Sequence, residues 1–443
     1  MNILAIGYYD DFARFFLRLR KEIQNLDKHA RFYYFSIYFS GVFYSFFKRV
    51  ISGWFPFFVW FNYLAKRGYY NKIATEDSSY KGVDLIWLTE YHVKLDAANK
   101  QYYMAIGCAY LDYASSFIKR KKIDMILASG DSRMPVRAII GIARLNNIAI
   151  RYFEQGAFGT TFFEHQGVNG NSAFKQPVSG SFVSDSDTTN GEFHFFIARK
   201  RADKFRRIPV YRAFDFLLNF FIGFSPVGRE IFEKKSLPIS KSSVVTGPQP
   251  TKRKYVVFAA QVPVDVNMVL HSPNFATHTE ILTYLNQHIP ADFNIVVREH
   301  PLFSGKYEQA FYQFINASDR ITVDNSTSLP GVISNSELVV VNNSTVGIEA
   351  LCYGKRVLVT GESYYENIPG VWKVGSDDDR LRTPDAYPLT ERELAGIHHY
   401  LKVLLCDYLY PGHYRDDDLS FVTEIANDII LGKVRSEKIM LGG

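Results

Sequence analysis

Short apolar runs that stop abruptly at a glycine or a charged residue alternate along this chain with longer stretches in which apolar positions recur every three to four residues. The first kind of run predicts buried strands and the second amphipathic helices. NILAIG (2–7) predicts a strand and residues 11–23 a helix. DMILASG (124–130) predicts a strand, VRAIIGIARLNN a helix with one apolar face, and IAIRYFE a strand ending at Glu154. The pattern restarts at YVVFAA (255–260), with a helix through HTEILTYLNQHI and a strand in NIVVREHP. ELVVVNNSTVGIEALCYGKRVLVTG then predicts strands at 337–341 and 356–360 around a helix at about 345–353. Strand and helix alternating in this way is the pattern of parallel βα units, so both halves read as α/β layers.

Between the halves the texture changes. EQGAFGTTFFEHQGVNGNSAF is rich in glycine, asparagine and threonine and predicts an extended loop, residues 185–229 carry a basic helical pattern, and SLPISKSSVVTGPQPTKRK reads as a linker. A chain of 443 residues exceeds the size at which one core keeps growing. The expected division is residues 1–235 with an aromatic segment at 31–65, residues 254–390, and C-terminal helices at 391–443. Two Rossmann-like α/β domains facing each other across a cleft form the GT-B arrangement of many nucleotide-sugar transferases, and that is the expected fold class.

Composition narrows the class. Hydrophobic residues at 47% and charged residues at 22% fit a packed enzyme. Cys108, Cys352 and Cys406 are far apart and form no CxxC pair, which predicts a reducing compartment and no thiolate metal site. The start, MNILAIGYYDDF, lacks the basic and long apolar regions of a signal peptide. YYFSIYFSGVFYSFF and VISGWFPFFVWFNYLA are each shorter than the ~20 residues that span a bilayer, so no transmembrane helix is expected. The net charge of +6 is concentrated in KRKK (119–122) and RKRADKFRR (199–207). These runs read either as solvated helix ends or, with the aromatic segment, as attraction to an anionic membrane surface. No nucleic-acid module is present in the pattern.

Ligands of open α/β sheets bind beyond the carboxyl ends of the strands, which directs attention to four places. In FAAQVPVDVNMVLHSP (258–273) an apolar strand breaks at Pro263 and presents Asp265, four residues after Gln261. Asp265 reads as a turn acid or as a nucleophile or base at a sugar carbon. Arg298, Glu299 and His300 precede Pro301, and read as a salt-bridged strand end or as a phosphate-binding guanidinium and imidazole. Ser344 of NNST is an N-cap, or a cap that also offers backbone N–H groups to a phosphate. Glu154 ends a buried strand, where a structural role needs a nearby cation. Within GDSR, Asp131 or Ser132 reads as a helix cap.

Taken in order, these motifs resemble one family. FEQGAFGTTFFEHQGVNGNS resembles the E-x-G … G-V-N-x-x-S signature of the bacterial capsule polysaccharide synthesis family, with GDSR upstream in the same layout. QVPVD resembles its Q-V-x-x-D segment, REHP its H-P motif, and NNSTVGIEALCYGKRVLV its nucleotide-binding βαβ. The resemblance covers about residues 124–361. It implies a retaining β-Kdo transferase acting from CMP-β-Kdo on a glycan or glycolipid acceptor in capsule or lipopolysaccharide synthesis. It further implies Asp265 as nucleophile, Glu154 as acceptor-side acid or base, His300 as a CMP contact, and Ser344 with Thr345 as the phosphate turn. Gln261, Arg298, Asn343 and Glu349 complete the expected donor-binding set, and Asp131, Arg133, Gly156 and Asn169 the acceptor-side loops. Residues 1–235 become the acceptor side and 254–390 the nucleotide-sugar side. One departure stands out: where the family often has a small polar residue after the aspartate, Val266, Asn267 and Met268 follow here. No DxD-like pair is present, so no metal and no cofactor beyond the donor are expected, in a cytoplasmic protein that is soluble or peripheral on the inner membrane. A sialyltransferase, a polyol-phosphate transferase and a noncatalytic capsule assembly or export component are the alternatives.

Overall fold

A computed structural model describes residues 1–48, 52–175, 203–223, 253–432 and 435. The linker at 236–252, residues 199–202 of the second basic run, and residues 185–198 and 224–229 of the basic helical pattern lie outside the described residues. The chain divides into two compact units. The first holds Met1–Val168 and Asp407–Gly443 together with Lys200–Lys234, and the second Asn169–Arg199 and Lys235–Cys406.

In the first unit, strands β1 (Asn2–Gly7), β2 (Arg31–Ser36) and β3 (Ser52–Trp54) are followed by a small hairpin of β4 (Ser79–Tyr80) and β5 (Val83–Asp84). β6 (Met125–Ser129), β7 (Ala149–Gln155) and β8 (Thr161–Glu164) complete the set. The main sheet has the order β3-β2-β1-β6-β7-β8, parallel except for the antiparallel β7–β8 pair. Alternation along the strands serves two cores. Leu4, Ile6, Ile126 and Ala128 face the helices Lys100–Lys121 and Met134–Leu145, whereas Ile3, Ala5, Met125 and Leu127 face the helices Asp10–Leu26 and Val422–Ile430. Phe15, fully buried, stacks on Phe153 at 4.3 Å between ring centres; burial of each such side chain contributes about 2–3 kcal/mol.

The expected C-terminal boundary is corrected by this packing. Residues 391–443 do not form one appendage: helix Glu391–Lys402 belongs to the second unit, and the chain from Asp407 onward belongs to the first. The cause is the apolar face of Val422–Ile430, which sequence periodicity shows to be a helix without showing which sheet it covers.

This returning segment carries a pH-sensitive group. His413 is 2% exposed, its Nδ1 accepts the Arg415 N–H at 2.9 Å, and its Nε2 is buried without a partner. Burial, with Lys204 and Arg415 nearby, pushes its pKa from 6.5 down to about 3. A depressed folded-state pKa means that the unfolded chain binds the proton first as pH falls below 6.5. The first unit is therefore expected to lose roughly 1 kcal/mol per pH unit between about pH 6 and pH 3 through this residue. Urea titrations at several pH values check this; a His413→Gln chain with the same slope would refute the assignment.

The aromatic segment divides between inside and outside. Phe35, Phe55, Val59 and Tyr63 are core, whereas Phe46, Phe47, Phe57 and Phe61 remain exposed. The KRKK run closes the helix Lys100–Lys121, where cations complement the carbonyl end of the helix dipole. None of the described helices is long and apolar enough to cross a membrane.

The second unit contains β9 (Tyr255–Ala259), β10 (Asn294–Arg298), β11 (Ile321–Val323), β12 (Leu338–Val341), β13 (Val357–Val359) and β14 (Val371–Lys373). All pair in parallel in the order β11-β10-β9-β12-β13-β14. Counted from its own first strand this is 3-2-1-4-5-6, the Rossmann order, and the six main strands of the first unit follow the same order. In such a sheet the chain leaves the first and fourth strands in opposite directions, opening a crevice beyond their carboxyl ends. In the second unit that switch point lies between the ends of β9 and β12.

Candidate functional site

The segment after β9 supplies one wall of that crevice. Pro263 stands at the second position of a turn closed by the Asp265 N–H on the Val262 carbonyl at 3.1 Å, a position that suits its fixed φ. Asp265 then caps the short helix Val266–Leu270, its Oδ1 accepting the Asn267 N–H at 2.8 Å. The carboxylate is thus oriented by the turn, and Met268 anchors the helix in the core.

The end of β12 supplies the other wall. Asn342 Nδ2 donates to the Asn267 carbonyl at 3.1 Å, and Asn343 Nδ2 reaches the Glu362 carbonyl at 3.0 Å and Asn267 Oδ1 at 3.4 Å. Asn267, part of the departure from the family pattern, therefore bridges the turn that holds Asp265 to the NNST turn. Asn343 is 7% exposed and its Oδ1 has no partner; Gln261 Oε1 is likewise buried and unpaired. Buried acceptors left unmade are costly, which makes both atoms candidates for a ligand donor. Ser344 Oγ accepts the Val346 N–H at 3.3 Å, although the residue at the helix boundary is Thr345, which makes no side-chain cap. Glu349 lies in the first turn of that helix, Val346–Cys352.

The REHP segment after β10 separates into structural and chemical parts. Arg298 Nη1 donates to the carbonyls of Asp324 at 2.9 Å and Thr327 at 2.7 Å, tying β10 to the loop after β11. Glu299 is buried and accepts from Ser304 Oγ, Asn325 Nδ2, the Gly305 N–H and the Tyr312 hydroxyl. Both residues hold the strand end, Arg298 through carbonyls and Glu299 through neutral donors rather than through a salt bridge with each other. His300 differs: its Nδ1 accepts the Leu302 N–H at 3.3 Å, leaving the proton of the neutral ring on Nε2. Burial lowers its pKa, while the nearby Asp265 carboxylate pulls it upward. The two groups expected to act together therefore interact electrostatically in one unit.

Asn169 is placed differently from expectation. It opens the second unit rather than lying in a first-unit loop. A Cβ on Gly170 would lie 2.7 Å from His271 Nδ1, Asn367 Nδ2 donates to the Lys175 carbonyl at 2.6 Å, and Lys175 Nζ pairs with Glu366 at 3.5 Å. The loop thus rests on the segment after β13. His271, six residues beyond Asp265, was not singled out from sequence; it is 4% exposed, its Nδ1 lies 3.3 Å from Glu362 Oε2, and its Nε2 is unpaired. The signal for Glu362 in the sequence is its position three residues after a strand.

In the first unit, the corresponding strand ends bring together Tyr8, the GDSR turn and Glu154. Asp131 does not cap the following helix. Its Oδ2 accepts the Val168 N–H at 3.1 Å and its Oδ1 the Ser132 hydroxyl at 2.6 Å, and Arg133, at the helix boundary, makes no side-chain cap. The Arg133 guanidinium stands over the Tyr91 ring at 4.9 Å and the Tyr8 ring at 5.9 Å. Burial raises the Tyr8 pKa, Arg133 opposes that, and Glu154 adds to it. Arg133 and Glu154, the latter half-buried, thus both act on the Tyr8 hydroxyl. Glu154 Oε1 accepts the Gln155 N–H at 2.9 Å. Gly156 has a packing role, since a Cβ there would lie 2.4 Å from Thr160 Oγ1. Among the described residues no group of three or more His, Cys, Asp or Glu side chains could hold a metal ion.

Residues 208–413 match the family model described as "Capsule polysaccharide biosynthesis protein". The match spans the QVPVD, REHP and NNST segments and covers just under half of the chain. Protein FixF of Sinorhizobium fredii is 30% identical over 176 residues, 39% of this chain and 42% of FixF. The capsule polysaccharide modification protein LipB of Neisseria meningitidis is 29% identical over 129 residues, 27% of this chain and 30% of LipB. The chain thus spans less than half the length of these curated relatives. Among solved structures, the β-Kdo 2,7 transferase KpsC of Thermosulfurimonas dismutans aligns over 73% of this chain and 90% of that chain, with 18% identity and a TM-score of 0.37.

Proposed function

We propose that this protein is a glycosyltransferase of capsule or lipopolysaccharide synthesis, a retaining β-Kdo transferase that moves Kdo from CMP-β-Kdo to a hydroxyl of a glycan or glycolipid. The observation that carries the reading is Asp265, held at the switch point of a Rossmann sheet beside His300 and linked through Asn267 to the NNST turn. The ordered motif resemblance and the match of residues 208–413 to the capsule-synthesis family model support it.

In the first step an Asp265 carboxylate oxygen attacks the anomeric carbon, and the bond from that carbon to the phosphate oxygen breaks with release of CMP. His300 Nε2–H and the N–H groups around Ser344 and Thr345 stabilise the departing phosphate, with no metal required. Gln261, Asn343 and Glu349 line the donor side, and the fixed charge of Arg298 favours the two anionic groups of the donor. In the second step an acceptor hydroxyl attacks the same carbon, Glu154 takes its proton, and Asp265 leaves. Two inversions give net retention.

Incubation with CMP-Kdo, CMP-sialic acid and a CDP-polyol, with and without EDTA, tests this. The expected result is metal-independent CMP release from CMP-Kdo alone and an acceptor product of retained configuration by NMR. Glu154→Gln should lower transfer more than slow donor hydrolysis. Transfer from the CDP-polyol would favour a phosphoryl-transferring enzyme, which shares the His300–Pro301 pair but needs no Asp265. No CMP release with a verified acceptor would favour a noncatalytic capsule component.

A further inference from the structure

We propose that the first unit docks on an anionic lipid bilayer through the aromatic surface formed by helices Phe39–Phe47, Phe55–Ala65 and Pro209–Gly223. This goes beyond the transferase reading and does not depend on it.

The surface is continuous. Ring centres run from Phe61 to Phe57 at 4.8 Å, to Trp54 at 5.3 Å, to Phe39 at 5.4 Å, to Phe43 at 5.7 Å and on to Phe47 at 4.9 Å, with Phe214 packed 5.2 Å from Phe43. These contacts do not bury it: Phe46 is 70% exposed, Phe47 58%, Phe61 53% and Phe216 66%. Single exposed rings are ordinary, but a connected apolar patch of this kind marks an interaction surface.

Charge selects the occupant. Among the described side chains of the three helices the one acid is Asp215, which is buried, its carboxylate accepting the Ser40 N–H at 2.8 Å and pairing with Arg212 at 2.6 Å. Exposed Lys48, Arg67 and Arg206 flank the helices. Aromatic rings with a basic rim, on helices whose described side chains include no exposed acid, match the boundary layer of an anionic bilayer, where the rings enter the acyl edge and the cations meet headgroup phosphates. A second copy of the chain would bring like charges together.

Cosedimentation tests this with the full chain, using vesicles of phosphatidylglycerol and phosphatidylethanolamine against vesicles of phosphatidylcholine alone. The expected result is binding to the first that falls about tenfold on the second or in high salt. It should also fall about tenfold in the double variant Phe46→Ser/Phe61→Ser, with an unchanged melting temperature. Quenching of Trp54 and Trp60 by brominated lipid reads the same contact in the unaltered protein. Absence of both vesicle binding and quenching overturns the proposal, as does undiminished binding by the double variant. Self-association that the double variant abolishes, without vesicle binding, also overturns it and assigns the surface to a second copy.

Discussion

Asp265→Asn is expected to lower Kdo transfer by about 10³-fold or more while CMP binding and the melting temperature stay near those of the unaltered chain. Under the proposed double displacement the magnitude follows from losing the group that would form the covalent intermediate, for which losses of this order and larger are the rule. Stability is retained because the Asp265 carboxylate also caps the helix Val266–Leu270 through the Asn267 N–H. Asparagine caps helices about as well as aspartate. The substitution therefore separates the observed cap from the proposed nucleophile: the amide side chain keeps the first and cannot serve as the second. Calorimetric CMP binding beside a transfer assay makes the measurement. A variant that retains even a tenth of the activity would sink the nucleophile assignment and leave Asp265 as a cap.

Glu299→Ala should cost the second unit about 3 kcal/mol. The side chain accepts from Ser304 Oγ at 2.7 Å, Asn325 Nδ2 at 2.6 Å and the Gly305 N–H at 3.2 Å, and from the Tyr312 hydroxyl. Removing it strands several buried or half-buried donors, each with a desolvation cost of about 1 kcal/mol or more. The loop from 299 to 305 also sets the orientation of His300, so donor turnover should fall with stability. Hydrogen exchange over residues 294–316 together with urea unfolding checks this. A loss below about 0.5 kcal/mol would mean that the network is replaced by water at little cost.

Much of this architecture was legible in the sequence because strands buried on both faces read as short continuous apolar runs. LVVV stops at Asn342, the apolar run of NIVVR stops at Arg298, and YVVFA is followed by Ala260 and then Gln261. Pro263 and Pro301 marked the strand ends, and the carboxyl ends of parallel strands are where chemistry gathers, so Asp265, His300 and Ser344 could be named without a structure. Pairing between distant segments was not legible. Nothing local shows that Asn169 settles on the β13 side, that the Arg298 guanidinium holds two carbonyls of another loop, or that Asn267 joins two turns. Asp131 illustrates the same limit: an acid before a helix reads as a cap, yet its partner is the Val168 N–H, 37 residues away.

The return of the C-terminal segment to the first unit has a consequence for biosynthesis. Translation delivers the Asp10–Leu26 helix long before Val422–Ile430, against which it packs, and the Phe12 ring centre lies 4.4 Å from that of Tyr414. At about 5–20 residues per second the nascent first sheet carries an uncovered apolar flank for tens of seconds while the whole second unit is translated. The unit begun first on the ribosome is the one finished last. Chains that stop before about residue 410 are released with that flank open, as substrates for chaperones and proteases.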